Sequence, residues 1–216
     1  MANKDSELGF KIHNELKTLG IETPITLPFY DTTQKLRGIE SAFIEIMTLL
    51  ELDLKDDSLR DTPLRVAKMF VYEIFEGLNY ENFPKCTTVA NKFKCDEMVI
   101  VKGIDVSSTC EHHFQNISGS CKIAYIPEDK VLGLSKLNRV VRFFSKRPQI
   151  QERLTLQIYH ALTIVLGTEN VAVEIDAVHH CVCSRGIEDK ASSTITRKLG
   201  GCFRNEAEAR GEFLDS

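Results

Sequence analysis

The sequence predicts an α+β fold, with a helical N-terminal region over residues 1–95 and a sheet-bearing domain over residues 96–216. Three observations predict it. Apolar residues recur at helical spacing through the first third of the chain. From about residue 97 the texture changes to β-branched, partly alternating runs, and two helical stretches interrupt those runs. A length of 216 residues suits one main domain with an appended segment.

Each element has its own signal. Leu8, Ile12 and Leu16 share one face of a helix over residues 5–19, with Ser6 as cap and Gly20 just past the end. Residues 21–34, with two prolines and several turn formers, read as an extended connection. A second helix covers about 36–51. A third has Asp61 or Thr62 as cap, Pro63 at its first position, an apolar face from Val66 to Phe75, and Gly77 as stop. EMVIVKGIDVSS and NISGSCKIAYIP form a hairpin or meander around CEHHFQ. LSKLNRVVRFF is a short helix closed by Pro148. A longer one ends at Gly167, with Leu154, Ile158, Leu162 and Val165 on one face, and both should pack on the sheet. VAVEIDAV alternates as a strand and SSTITRKL supplies the last one, followed by a polar tail expected to fray.

Composition narrows the class. An apolar fraction of 43% and a charged fraction of 27% are ordinary for a soluble globular protein. No apolar run approaches the roughly 20 residues that span a bilayer, so no membrane partner is expected. MANKDSELGF lacks an apolar core followed by small cleavage-site residues, which predicts a cytoplasmic protein. The net charge of −4 argues against nonspecific nucleic-acid binding, yet leaves room for one basic pocket. Seven cysteines, odd in number and unevenly spaced, suit metal ligands or buried thiols better than a disulfide framework.

Two clusters carry chemistry. Cys110-Glu111-His112-His113 offers a thiol and an imidazole within one turn, and zinc suits such a mixed set. His179-His180-Cys181-Val182-Cys183 closes the alternating strand, where it can deliver a third ligand from far along the chain. Either cluster alone is common by accident. Spacing leaves open whether such a site is structural or catalytic, because Cys183, if the segment is extended, shares a face with Cys181 and could close a Cys3His tetrahedron.

The stretches STCEHHF, YIPEDKVLGLSKLNRVVRFFSKRPQIQERLT and VAVEIDAVHHCVCSRGI resemble the signature segments of the GTP cyclohydrolase I family. The likeness runs from DDSLRDTPLRVAKMF to LGGCFRNEAEARGEFL; residues 1–35 add little. It implies a T-fold, an antiparallel four-stranded sheet backed by two antiparallel helices. It also implies a toroidal homodecamer with active sites between subunits. One zinc ion per subunit would be held by Cys110, His113 and Cys181, its fourth position open to a water that attacks the imidazole carbon later lost as formate. His180 departs from the bulkier residue usual at its position, and Cys183 is variable, so neither is carried over as a ligand.

The same resemblance assigns His112 and His179 to acid–base work, which suits an imidazole titrating near neutrality. Ser135, counted with this catalytic set, also opens a basic helix start as its cap, with Lys136 and Arg139 on the first turn. Lys68 and Arg185 complete the phosphate-binding positions. Glu152, with Gln151 beside it, matches the carboxylate that accepts two guanine hydrogens. The implied reaction converts GTP and water to formate and 7,8-dihydroneopterin triphosphate, the entry step to tetrahydrofolate. Two rivals lie outside this reading. A T-fold nitrile reductase would lack the zinc set, and a noncatalytic zinc scaffold would need Cys183 to close the tetrahedron.

Overall fold

The runs read as strands after residue 97 do pair, and they organise one of two compact units in the computed structural model, which describes residues 4–26 and 30–216. One unit is Pro24–Glu76; the other joins the chain up to Thr23 with Gly77–Ser216. In chain order the helices are α1 (Ser6–Thr18), α2 (Thr32–Leu49), α3 (Thr62–Met69), α4 (Leu134–Ser145), α5 (Gln151–Leu166), α6 (His180–Cys183), α7 (Gly201–Asn205) and α8 (Ala207–Asp215). The strands are β1 (Thr88–Ala90), β2 (Val99–Cys110), β3 (Asn116–Tyr125), β4 (Lys130–Leu132), β5 (Pro148–Gln149), β6 (Val171–His179) and β7 (Thr194–Leu199).

The main sheet has the order β5-β2-β3-β6-β7, and β1 with β4 makes a separate ribbon. Strands β2, β3, β6 and β7 are antiparallel, the four-stranded sheet that a T-fold requires. The short β5 lies parallel to the end of β2, pairing Pro148 with Thr109 and Gln149 with Cys110. This fifth strand was not legible because two residues carry no alternation. Register slips once between Val101 and Ile104, where Gly103 takes φ +68° in a bulge.

One sheet face and the apolar stripes of α4 and α5 make the core: Val106, Ile117, Ile123, Val173 and Ile175 pack with Leu137, Val141, Phe144, Leu154, Ile158 and Leu162. Each such side chain, fully buried, contributes roughly 1.5–3 kcal/mol. The four α5 positions read from the sequence are all buried, and Gly167 ends the helix in the left-handed region at φ +77°. Gly77, read as a helix stop, has a packing reason instead: a Cβ there would lie 2.1 Å from the Phe143 carbonyl oxygen.

Several local expectations are corrected. Asp5, not Ser6, caps α1, its carboxylate accepting from the Leu8 amide. Gly133 occupies the cap of α4, so Ser135 stands inside the first turn rather than at its cap. The tail after β7 does not fray. It forms α7 and α8, which bury Phe203 and Phe213 with Ala124 and Ala172 in a second cluster. Two aromatic residues in so polar a stretch give no periodic signal, and Lys122 of β3, donating to the Phe213 carbonyl at 2.8 Å, completes the docking.

In Pro24–Glu76, α2 begins earlier than read because Asp31 and Gln34 form a reciprocal capping box. The third helix leaves α geometry at Phe70 for a π turn over Phe70–Ile74, and Phe70 stacks on Phe75 at 5.3 Å and meets Phe43 edge-on at 5.6 Å, centroid to centroid. The connection read over 21–34 is without helix or strand through residue 26. Residues 27–29 lie outside the described residues, and from Thr32 the chain is already helical.

Candidate active site

Topology explains why remote motifs meet. Strand β3 lies between β2 and β6 and runs against both, so the final residues of β2 and β6 come to its first residues: Thr109 pairs with Asn116, and Ile117 with His179. Strand β5 adds the start of α5 at the same end, since Gln149 pairs with Cys110 and only Ile150 separates it from Gln151. Cys110, the CEHH turn, His179, α6 and the first turn of α5 therefore share one edge.

At that edge Cys110, His113 and Cys181 bring two sulfurs and an imidazole nitrogen within 4.8 Å of one another. Cys110 is buried, Cys181 half-buried and His113 exposed. The turn between them is tight. The Phe114 amide donates to the Cys110 carbonyl at 2.9 Å, the Cys110 amide to the Gln115 carbonyl at 2.8 Å, and Phe114 takes φ +51°, unusual for an aromatic residue. Burial, reinforced by the adjacent Cys110 thiol, pushes the Cys181 thiol up, with Arg185 opposing. A thiol that resists ionisation, set beside a second thiol and an imidazole, is a donor set that a cation would relieve. Cys183 is outside the group: residues 180–183 form a helical turn, not a strand, so positions two apart point to different faces.

His179 and the α5 start frame a neighbouring pocket of about 250 Å³ lined by Gln151, Glu152, His179, Val182, Ser192 and Thr194. Burial lowers the His179 pKa and Glu152 opposes the shift. Glu152 is exposed, and Gln151 is buried with its side-chain oxygen 2.8 Å from His179 Nε2. His112 is exposed, its Nδ1 3.8 Å from Cys110 Sγ.

The basic residues are distributed differently. Arg185 is exposed near Cys181, while Lys136 and Arg139, half-buried, lie close enough to Cys86 to oppose the rise of its thiol pKa to about 11, which burial causes. Ser135 is exposed on the first turn of α4. None of Ser135, Lys136 and Arg139 lines the pocket at His179 within this chain. Lys68 is exposed on α3, in Pro24–Glu76.

The family described as GTP cyclohydrolase I matches residues 39–216. The chain belongs to the GTP cyclohydrolase I family. It is 55% identical to GTP cyclohydrolase 1 of Yersinia pseudotuberculosis serotype O:1b (strain IP 31758) over 212 residues, 98% of this chain and 95% of that relative. The enzyme of Serratia proteamaculans (strain 568) is 56% identical over 203 residues, 94% of this chain and 92% of its own. A solved dihydroneopterin aldolase from Burkholderia thailendensis, bound to guanine, covers 51% of this chain and 98% of its own at 15% identity and TM-score 0.34, too slight a likeness to add weight.

In this GTP cyclohydrolase I chain, further residues shape the site without having stood out in the sequence. Glu111, inside the CEHH motif, pairs with Arg153 of α5, whose Nε also donates to Gln149 at 3.2 Å. The Glu111 amide donates to the Gln149 carbonyl at 3.0 Å. Together these fix the ligand turn to β5 and α5. His180 is held by Ser118 of β3 at 3.1 Å, which orients the α6 turn carrying Cys181. Neither pairing had a sequence signal, because each partner lies on a different element. Among the described residues no helix is long and apolar enough to cross a membrane.

Proposed function

We propose that this GTP cyclohydrolase I chain hydrolytically opens the imidazole ring of GTP, releasing formate and forming 7,8-dihydroneopterin triphosphate, with one zinc ion per subunit on Cys110, His113 and Cys181. The observation that carries the site assignment is the gathering of those three ligand atoms within 4.8 Å. Two sulfurs and one imidazole nitrogen match the donor preference of zinc, and bonds of about 2.0–2.3 Å ask only a modest contraction of the group. When bound, the ion supplies Lewis acidity and lowers the pKa of a water at its open position to about 7.

The chain's own residues do the remaining work. His179 and His112 flank the ligand group from two strand ends and exchange protons with the purine nitrogens. A His179 ring kept neutral by burial enters as an acceptor. Glu152 faces the same pocket as His179, and its carboxylate accepts the ring N–H and exocyclic amine of guanine, with Gln151 beside it. Ser135, Lys136, Arg139, Arg185 and Lys68 neutralise and orient the triphosphate. Their scatter over the chain fits a toroidal homodecamer whose neighbouring subunits complete each site, and the enzyme acts in the cytoplasm at the entry to tetrahydrofolate.

The test is metal analysis of the purified protein alongside formate and pterin release from GTP. Zinc near one per chain with both products is expected. Zinc without either product would sink the catalytic reading in favour of a scaffold, and particle mass in solution tests the assembly.

A further inference from the structure

Gln151 opens α5 and is 1% exposed, so each of its polar hydrogens must find a partner inside the protein. Its side-chain nitrogen lies 2.7 Å from the Thr194 carbonyl oxygen and 3.0 Å from that of Ile175, with Thr196 Oγ1 at 3.1 Å. Main-chain oxygens only accept. Turning the amide over would set its own oxygen against both of them and leave three buried acceptors facing one another. The orientation of the amide is therefore dictated by β6 and β7, and Oε1 is left facing His179 Nε2 at 2.8 Å. The main chain at Gln151 is held as well, because Thr155 Oγ1 donates to its carbonyl at 2.9 Å and receives the Thr196 hydroxyl at 2.7 Å.

An amide oxygen cannot donate, so the hydrogen between Gln151 and His179 belongs to Nε2. A neutral imidazole carries only one N–H, which leaves the lone pair on Nδ1. Nδ1 has no hydrogen-bond partner among the described residues. We propose that Gln151 is a positioning residue that locks His179 in the Nε2–H tautomer and leaves Nδ1 as its bare nitrogen. The tautomer stands on the Gln151 hydrogen bonds alone; its effect on turnover rests on the acid–base reading of His179 given above. Gln151, read from the sequence as a substrate contact, then acts on the reaction through His179.

The test uses the zinc-loaded full chain labelled with 15N-histidine and examined by solid-state NMR, the His179 signals being assigned by their absence from His179→Asn. The parent should show a protonated Nε2 and a bare Nδ1, and a protonated Nδ1 would overturn the proposal with no variant required. Gln151→Leu should give mixed tautomers with unchanged zinc content, and kcat for GTP lower by about tenfold at unchanged KM, the scale of loss typical for residues that orient a reacting group. A rise in KM at unchanged kcat in Gln151→Leu would mark a direct substrate contact and remove the positioning role. Turnover that survives His179→Ala would sink the acid–base reading, and with it the expected effect on kcat, while the tautomer of the parent would still stand or fall on its own spectrum.

Discussion

Arg147 and the Cys110–His113–Cys181 group are polar clusters within one unit of the chain, and their needs are met in opposite ways. Arg147 is fully buried, yet Glu22 lies 3.1 Å from its guanidinium, the Tyr80 hydroxyl 3.2 Å, and the Gly77 carbonyl accepts from it as well. The rings of Tyr80, Phe143 and Phe144 surround it at 5.0, 4.9 and 4.9 Å, and only Nε lacks a partner. Glu22 is answered in turn by Tyr80 at 2.5 Å and His13 at 2.7 Å. Burial pushes the Tyr80 phenol far up, so it remains a donor. At the sheet edge Cys110, Cys181 and His113 converge instead on one another, and burial with the Cys110 thiol holds the Cys181 thiol up against the pull of Arg185. A cluster whose charges are matched by the chain itself is architecture; one whose donors converge without a match is a receptor.

Substitutions can separate the two. Cys181→Ser should give the largest effect: zinc lost to background and ring opening abolished, while unfolding stays close to that of the chelator-treated parent, a serine being nearly the same size at this half-buried position. Retained zinc with activity would break the receptor side of the comparison. Glu22→Ala should do the reverse, leaving a buried unpaired guanidinium at a cost of about 3–5 kcal/mol in urea unfolding with zinc content per folded chain unchanged. A loss under about 1 kcal/mol would show that Arg147 is held by its aromatic cage rather than by charge matching. Arg139→Ala addresses a half-buried cation proposed to meet the triphosphate and should be mildest. KM for GTP should rise about tenfold, the weight of one charge-assisted hydrogen bond, with guanosine binding unmoved. Equal effects on both ligands would remove Arg139 from the phosphate pocket.

How much of this was legible depended on where each signal resides. The α5 stripe Leu154, Ile158, Leu162, Val165 and the alternation of β6 are properties of single segments, and both were read correctly. Cys110 and Cys181 stood out as candidate ligands because thiols and imidazoles sit in tight groups there, and the structure brings both together with His113. Ser6, by contrast, was a reasonable cap that lost to Asp5 by one residue, and the cap given to Ser135 fell to Gly133. The tail was misread because Phe203 and Phe213 acquire meaning only from the sheet face they cover. Arg147 drew no notice: nothing in SKRPQ says that Glu22, far earlier in the chain, will be its counterion.

The sequence by itself determined the longer helices and strands, the donor types and, through its signature segments, the family. Propensity, periodicity and ligand chemistry are local, and they survive without coordinates. Only the tertiary structure decided that β3 brings the ends of β2 and β6 together, and that α6 is helical and so turns Cys183 away from Cys181. It alone set which way the Gln151 amide faces. These depend on strand register and on the acceptors of neighbouring strands, interactions between residues distant in sequence whose geometry no single segment encodes.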